Sequence, residues 1–215
     1  NIALLPDELS LATLQTAGGC IHSIGNLLCI RAAHPVALSS LPRTAVENSA
    51  ITIYLNTSED DVTRTLMANN VLRRGLLEAG HKNRESKFNS SLVAHDALNE
   101  RASRERIRHV PKLPSSYTGL IAQTLAEIDG QTLYNELNRF THPNAETLLT
   151  ATVSADLRPH INFRDSFKIA VRSAGCAIVA AKELSKYRET SIDPSFRHFA
   201  RIVNLDTAFN AEFGE

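Results

Sequence analysis

The segment NFRDSFKIAVRSAGCAIVAAKELSKY, residues 162–187, has the clearest helical pattern in the chain. Its small residues at 173–177 would allow a neighbouring helix to approach closely. Asn162, followed three residues later by Asp165, resembles a capping box, so we expect the helix to begin there. Apolar residues recur at steps of three and four, which predicts a core helix with one apolar face made of Phe163, Phe167, Ala170, Ala174, Ile178, Ala181 and Leu184.

The same periodicity predicts helices along most of the chain, over residues 7–32, 35–56, 60–80, 84–109, 116–128 and 131–142. Pro42 either starts or kinks the second of these, because proline lacks the amide that would bond one turn back. Gly80 is the expected end of the third. A last helix is expected from Asp193, with proline in its first turn. The stretch 147–157 is rich enough in β-branched residues for a short strand, but we favour a connection.

The fold class that follows is all-α. No strand alternation and no repeat of fixed period is present, and no linker is long enough to separate two domains. We therefore predict that residues 1–215 form one domain, a single bundle of long antiparallel helices joined by short turns.

Composition excludes several classes of protein. The chain is 43% hydrophobic and 21% charged, which is typical of a folded globular protein. Its net charge of zero means that binding to nucleic acid would require a local basic patch. Three cysteines do not form a disulfide framework, which favours a cytoplasmic location, and no apolar stretch is long enough to span a membrane. Because the chain begins at Asn1, the sequence leaves open whether a native N-terminal segment precedes it.

The stretch LYNELNRFTHPN, residues 133–144, carries the first candidate site. The helix should end near His142, because the residue before a proline is disfavoured in the α region. Tyr134, Asn138 and Thr141 lie beside one another at steps of four and three, and Arg139 neighbours His142. A histidine at a helix C-terminus suits a cationic or acid–base role. It could equally be a cap that bonds free carbonyls.

The second candidate is Arg43 with Glu47, four residues apart on one helix. Arginine before glutamate is the less favourable order for a helix-surface pair, so we expect these side chains to have other partners. Within a bundle, the pair could meet Tyr134 or His142 in a satisfied polar network. Such a network is more often architectural than catalytic.

Together, Arg43-x3-Glu47 and Tyr134-x7-His142-Pro143 resemble a bacterial family of HEPN-like helical proteins, over roughly residues 35–185. The resemblance implies a helical fold, a homodimer, and a place in a toxin–antitoxin or phage-defence system. It also implies a metal-independent ribonuclease without a cofactor, in which His142 activates the ribose 2′-hydroxyl and Arg139 holds the phosphate. RNA and a protein partner such as an antitoxin are the implied partners.

The spacing departs from that of the family's ribonucleases, in which four to six residues separate the arginine and the histidine. Two residues separate Arg139 from His142, whereas six separate Arg74 from His81. We rank the second pair lower, because Gly80 suggests that His81 follows the helix end. Whether the chain is an enzyme is thus left open, and the alternative is a non-catalytic helical module that binds or regulates a protein partner.

A local concentration of basic residues is the remaining feature. The stretch NERASRERIRH at 99–109 contains four arginines. These candidates for an RNA-binding stripe are Arg101, Arg104, Arg106 and Arg108. The acids interleaved with them favour the alternative, a solvated helix face with Glu–Arg pairs. Cys20, His22 and Cys29 do not make up a zinc shell, and we predict no metal site.

Overall fold

Helices account for nearly all of the described backbone. The structure, a computed structural model, describes residues 4–29, 40–83, 86–105, 110–141, 159–188 and 211. Within these ranges there are α-helices and short 3-10 segments but no strand, which confirms the all-α class. In chain order the elements are α1 (Leu5–Cys29), α2 (Ser40–Leu55), α3 (Asp61–Asn83), α4 (Ser86–Arg104), α5 (Tyr117–Thr124), the 3-10 helix (Ala126–Ile128), α6 (Gly130–Thr141) and α7 (Pro159–Arg188).

Helix α2 lies at the centre of the packing. It contacts α1, α3, α5, α6 and α7, and its C-terminal half is buried from Ser49 to Leu55. Pro42 lies in its first turn, where the missing amide hydrogen has no intrahelical partner to lose. Of the two alternatives, Pro42 therefore starts the helix and does not kink it. The apolar side chains that pack around α2 form one cluster, which includes Met67, Leu120, Ile121, Leu125, Leu133, Leu137, Cys176 and Ala180.

Buried polar side chains cross the contact between α1 and the helices beside it. The hydroxyls of Thr13 and Thr52 lie 2.7 Å apart, and the amide of Asn56 donates to Ser10 at 3.0 Å. Arg64 is only 4% exposed and bonds Asp7 at 2.5 Å. Because each group has a partner, burial does not leave these polar atoms unsatisfied.

A left-handed residue separates α5 and its 3-10 extension from α6. Asp129 has φ 52°, and the amide of Gly130 donates to the carbonyl of Leu125 at 3.0 Å. A Cβ at position 130 would lie 2.5 Å from the Leu125 Cβ, so only glycine allows this close approach. The predicted break at residues 129–130 is confirmed.

Two predicted helix ends are wrong. Helix α3 continues through Gly80 to Asn83, and α7 begins at Pro159, before the expected cap at Asn162. A glycine inside a helix lowers its stability by only about 1 kcal/mol relative to alanine, so packing elsewhere on the helix can outweigh it. The prediction that His81 follows the helix end is therefore also wrong.

The predicted apolar face of α7 is not its most buried face. Phe163 is 36% exposed, and most of the predicted face is only half-buried. The buried residues of the helix include Ser166, Ser173, Cys176 and Ala180, and Leu184 is the buried member of the predicted face. Helix α7 contacts α1 and α2, and small side chains on its buried face suit such packing. Ser173 and Cys176 are buried, as the predicted close approach at 173–177 requires.

Other predictions fall outside the described residues. They are the connection or strand at 147–157, the helix from Asp193, and the outer ends of several helices. The prediction of one domain over 1–215 also stays a prediction. Among the described helices, none combines the length and apolar composition needed to cross a bilayer.

Candidate functional site

A polar network joins the N-terminal half of α2 to α6. Arg43 Nε donates to Glu47 Oε1 at 2.9 Å, and the hydroxyl of Tyr134 donates to the same oxygen at 2.6 Å. Arg43 Nη1 donates to Thr141 Oγ1, 98 residues away in the chain, at 3.0 Å. The expected meeting of the Arg–Glu pair with Tyr134 is therefore present in the structure.

Arg43 and Glu47 both have the further partners that were expected of them, Thr141 for Arg43 and Tyr134 for Glu47. Their side chains bond directly, and both also have a partner on α6. The side chains are only 26% and 18% exposed. In such partly buried surroundings an ion pair is less screened than on an open helix surface, so the unfavourable sequence order matters less.

Tyr134 acts as a neutral hydrogen-bond donor in this network. Burial raises the pKa of Tyr134 to about 12, and its bond to Glu47 acts in the same direction. The Arg43 guanidinium also lies 5.5 Å from the centre of the Tyr134 ring, within cation–π range. A phenol with this pKa keeps its proton at neutral pH, which excludes it as a general base there.

An open polar cleft of about 530 Å³ lies beside the network. Arg43 and Arg139 both line it, from α2 and α6. Residues at the N-terminus of α5 also line the cleft, and there Ser116 Oγ accepts a hydrogen bond from the amide of Gly119 at 3.1 Å. Two guanidinium groups and the partial positive charge of a helix N-terminus make the cleft suited to an anion. Its other lining residues are uncharged: Tyr117, Thr118, Tyr134, Asn135 and Asn138.

The predicted residues of α6 differ in their placement. Tyr134 is buried, Asn138 is half-buried, and Arg139 is exposed on the cleft. Thr141, which the spacing placed beside Asn138, receives the bond from Arg43. His142 lies outside the described residues.

No family model, curated protein or solved structure matches this chain. The function of the cleft therefore has to be inferred from its own geometry.

The alternative arginine, Arg74, lies at a different place. Its guanidinium is 4.4 Å from the centre of the Tyr117 ring, and it bonds Glu78 at 3.0 Å and the carbonyl of Pro114 at 3.2 Å. Tyr117 lines both the cleft and a second cavity beside Arg74. The backbone of His81 is helical, in the last part of α3.

The described members of the basic stretch are surface residues paired with acids. Arg101 bonds Glu105 at 2.7 Å, and Arg104 bonds Glu100 at 3.2 Å. This arrangement is the solvated face that interleaved acids favour, and neither arginine lines the cleft. Arg106 and Arg108 lie outside the described residues, so the RNA-binding stripe stays a prediction.

Within the described ranges, no three His, Cys, Asp or Glu side chains are grouped so that they could hold a metal ion. The imidazole of His22 lies 3.2 Å from the Asn26 amide nitrogen on the same exposed surface of α1. Cys20 is half-buried and Cys29 is exposed.

Sequence reasoning missed the side of the cleft that α5 provides. Ser116, Tyr117 and Thr118 were not singled out, and neither was Asn135 on α6. One signal was present, because a serine before an apolar helical run is a favoured N-cap. That signal locates a helix start but does not show that the start faces Arg43 and Arg139.

Proposed function

We propose that this chain is a HEPN-like protein, a single bundle of antiparallel helices, that binds RNA in the cleft between α5 and α6. One observation carries the proposal: Arg43 and Arg139 line the same cleft as the N-terminus of α5. Guanidinium groups bind phosphate oxygens with two parallel hydrogen bonds, and helix N-termini bind phosphate through free amides.

The two arginines have different roles in this proposal. Arg43 is held by Glu47 and Thr141, so its guanidinium has a fixed position on the wall of the cleft. Arg139 is exposed and can move to meet a phosphate that enters from solvent. The hydroxyl and amide side chains along the walls, among them Thr118 and Asn135, suit contacts with ribose and phosphate.

The bound RNA is then cleaved without a metal ion. His142 removes the proton from a ribose 2′-hydroxyl, the 2′-oxygen attacks the adjacent phosphorus, and the bond from phosphorus to the 5′-oxygen breaks. The products are a 2′,3′-cyclic phosphate and a 5′-hydroxyl, and water supplies the proton to the leaving oxygen. Arg139 holds the phosphate during the attack.

The resemblance adds the biological setting. It favours a homodimer in the cytoplasm, with an antitoxin-like protein as partner in a toxin–antitoxin or phage-defence system. Light scattering coupled to gel filtration tests the dimer, and a single-chain mass would contradict it.

A second function is favoured by a different observation. The bonds among Arg43, Glu47, Tyr134 and Thr141 fix the position of α6 on α2. In this second function the network has a purely structural role: it holds together the helices of a non-catalytic module that binds or regulates a protein.

One assay separates the two functions. Fluorescently labelled single-stranded and hairpin RNAs are incubated with the parent protein in EDTA, and 3′ ends are analysed for cyclic phosphate. The variants are His142→Ala, Arg139→Ala and, as a matched control for charge, Lys182→Ala on the exposed surface of α7. The parent and Lys182→Ala should cleave, whereas His142→Ala should be slower by roughly 100-fold or more.

Binding is measured separately by fluorescence anisotropy. Arg139→Ala should weaken RNA binding by about tenfold, because a charged hydrogen bond to phosphate is lost. Absence of both binding and cleavage in the parent would support the non-catalytic module. Cleavage at an equal rate by His142→Ala would remove that residue from the mechanism.

A further inference from the structure

A second cavity, of about 550 Å³, is separate from the polar cleft and has a different character. It lies where α1, α2, α3, α4 and α5 come together, beside the segment that leads into α5. This volume is within the range of small-molecule sites. Its walls are mainly apolar and include Leu9, Ile51, Val71, Leu72, Leu113 and Leu120.

Among the described residues that line this cavity, Arg74 is the one Lys or Arg, and His95 also lines it. The side chain of Arg74 is 20% exposed, and bonds to Glu78 and to the carbonyl of Pro114 hold it in place. The ring of Tyr117 supports the guanidinium from one side, with 4.4 Å between the guanidinium carbon and the ring centre. A guanidinium has five N–H groups, so these two bonds do not use its full donor capacity.

Glu78 is a weak competitor for a ligand at this position. Its side chain is 55% exposed, and its pair with Arg74 is an i,i+4 contact on the helix surface. Such pairs contribute little stability, so an incoming anion can displace the glutamate readily. A ligand carboxylate could then form two parallel bonds with Arg74.

We propose that this cavity binds a small amphipathic carboxylate, an unbranched acid of about eight to ten carbons. The alkyl chain lies against Leu9, Ile51, Leu72 and Leu120, and the carboxylate bonds Arg74. The apolar walls exclude a highly charged polymer, because its phosphates would lose water without gaining partners. The proposal does not depend on the binding of RNA.

Isothermal titration calorimetry of the full chain with octanoate tests the site, with 1-octanol as the neutral ligand of equal length. We expect one octanoate per chain. Across hexanoate, octanoate and decanoate, affinity should rise about fourfold for each methylene that is buried. No saturable heat with any of the three acids would overturn the proposal.

Two neighbouring arginines provide a matched pair of variants. Arg74→Gln should weaken the binding of octanoate by at least tenfold and the binding of 1-octanol by less than twofold. Arg73 does not line the cavity and bonds Asp96 instead, so Arg73→Gln should bind octanoate as the parent does. Equal octanoate affinity in the parent and Arg74→Gln would overturn the assignment of the carboxylate to Arg74.

Two further variants keep the test decisive if Arg74→Gln does not fold. Glu78→Gln removes the competing carboxylate from an exposed side chain and should tighten octanoate binding several-fold. Leu72→Trp should fill the cavity and abolish binding of both ligands, with circular dichroism as the check of folding. Unchanged binding in either variant would contradict the site.

Discussion

The Tyr134 hydroxyl and Glu47 Oε1 lie 2.6 Å apart, and Arg43 donates to that same oxygen at 2.9 Å. One carboxylate oxygen therefore receives a donor from its own helix and a donor from α6. The two helices are far apart in the chain, so this oxygen links local and long-range structure. The polar cleft lies directly beside it.

Tyr134→Phe should lower the free energy of unfolding by about 1–2 kcal/mol, because it removes one hydrogen bond to a charged group and keeps the ring. Urea unfolding followed by circular dichroism measures the change. Tyr117→Phe is the matched control, since Tyr117 contacts Arg74 through its ring. Equal loss in both variants would mean that the bond to Glu47 contributes nothing specific.

Stability should fall as the pH rises above about 10, the pKa of tyrosine in an unfolded chain. Burial raises the pKa of both Tyr54 and Tyr134 to about 12 in the folded protein. Between these values the unfolded chain loses protons that the folded chain retains. The stability that these two tyrosines contribute is therefore fully present below pH 10 and is lost as the pH rises through 12. Burial also raises the pKa of Cys176 to about 12, which adds to the loss from about pH 9.

Absorbance at 295 nm checks this prediction. Of the four tyrosines, Tyr54 and Tyr134 should ionise late and together with unfolding, and burial raises the pKa of Tyr117 as well. Tyr134→Phe should make the unfolding midpoint less sensitive to alkaline pH. Ionisation of all four residues near pH 10 in the folded protein would contradict the prediction.

Arg64→Met should lower the free energy of unfolding by about 3–5 kcal/mol, because it leaves the buried Asn56 and the half-buried Asp7 without the guanidinium. The Arg64 side chain is 4% exposed and bonds both Asp7 and the buried Asn56. The control is Arg101→Met, at a side chain that is 76% exposed. The control should unfold at the same urea concentration as the parent. A similar shift of the urea midpoint in both variants would contradict the role of burial.

Two glycine-to-alanine changes should have opposite effects. Gly130→Ala should destabilise the protein by about 1–3 kcal/mol, because the new Cβ would lie 2.5 Å from Leu125. Gly75→Ala should stabilise it by about 0.5–1 kcal/mol, since nothing lies within 4 Å of a Cβ there and alanine favours helix. Thermal unfolding of both variants is the measurement, and destabilisation by Gly75→Ala would show that this position is more crowded than the structure indicates.

Several site features could be predicted from residue types and spacing. Arg43 and Glu47 were recognised as a pair, and Tyr134 as a possible partner, because arginine before glutamate is a weak helix-surface pair and suggests further partners. The cavity beside Arg74 could not be predicted. It depends on Pro114 and Tyr117 reaching Arg74 from about forty residues along the chain, and no local pattern specifies that approach.

Helix α7 also shows that a local sequence pattern does not determine which residues are buried. Its periodicity correctly predicted a helix, but the face with the largest apolar residues is only half-buried. Close packing against α1 and α2 selects the face with small side chains instead, since large residues would hold the helices apart. Hydrophobicity alone does not distinguish these two faces.

By itself, the sequence determined that the described chain is helical and where most of its helices lie, because helical hydrogen bonds join residues only four apart. The tertiary structure decided which face of each helix is buried and which side chains meet. Thr141 accepts from Arg43 across 98 residues, and the N-terminal residues of α5 line the same cleft as two arginines from other helices. Such contacts depend on how all the helices pack together, and that packing is a property of the whole chain.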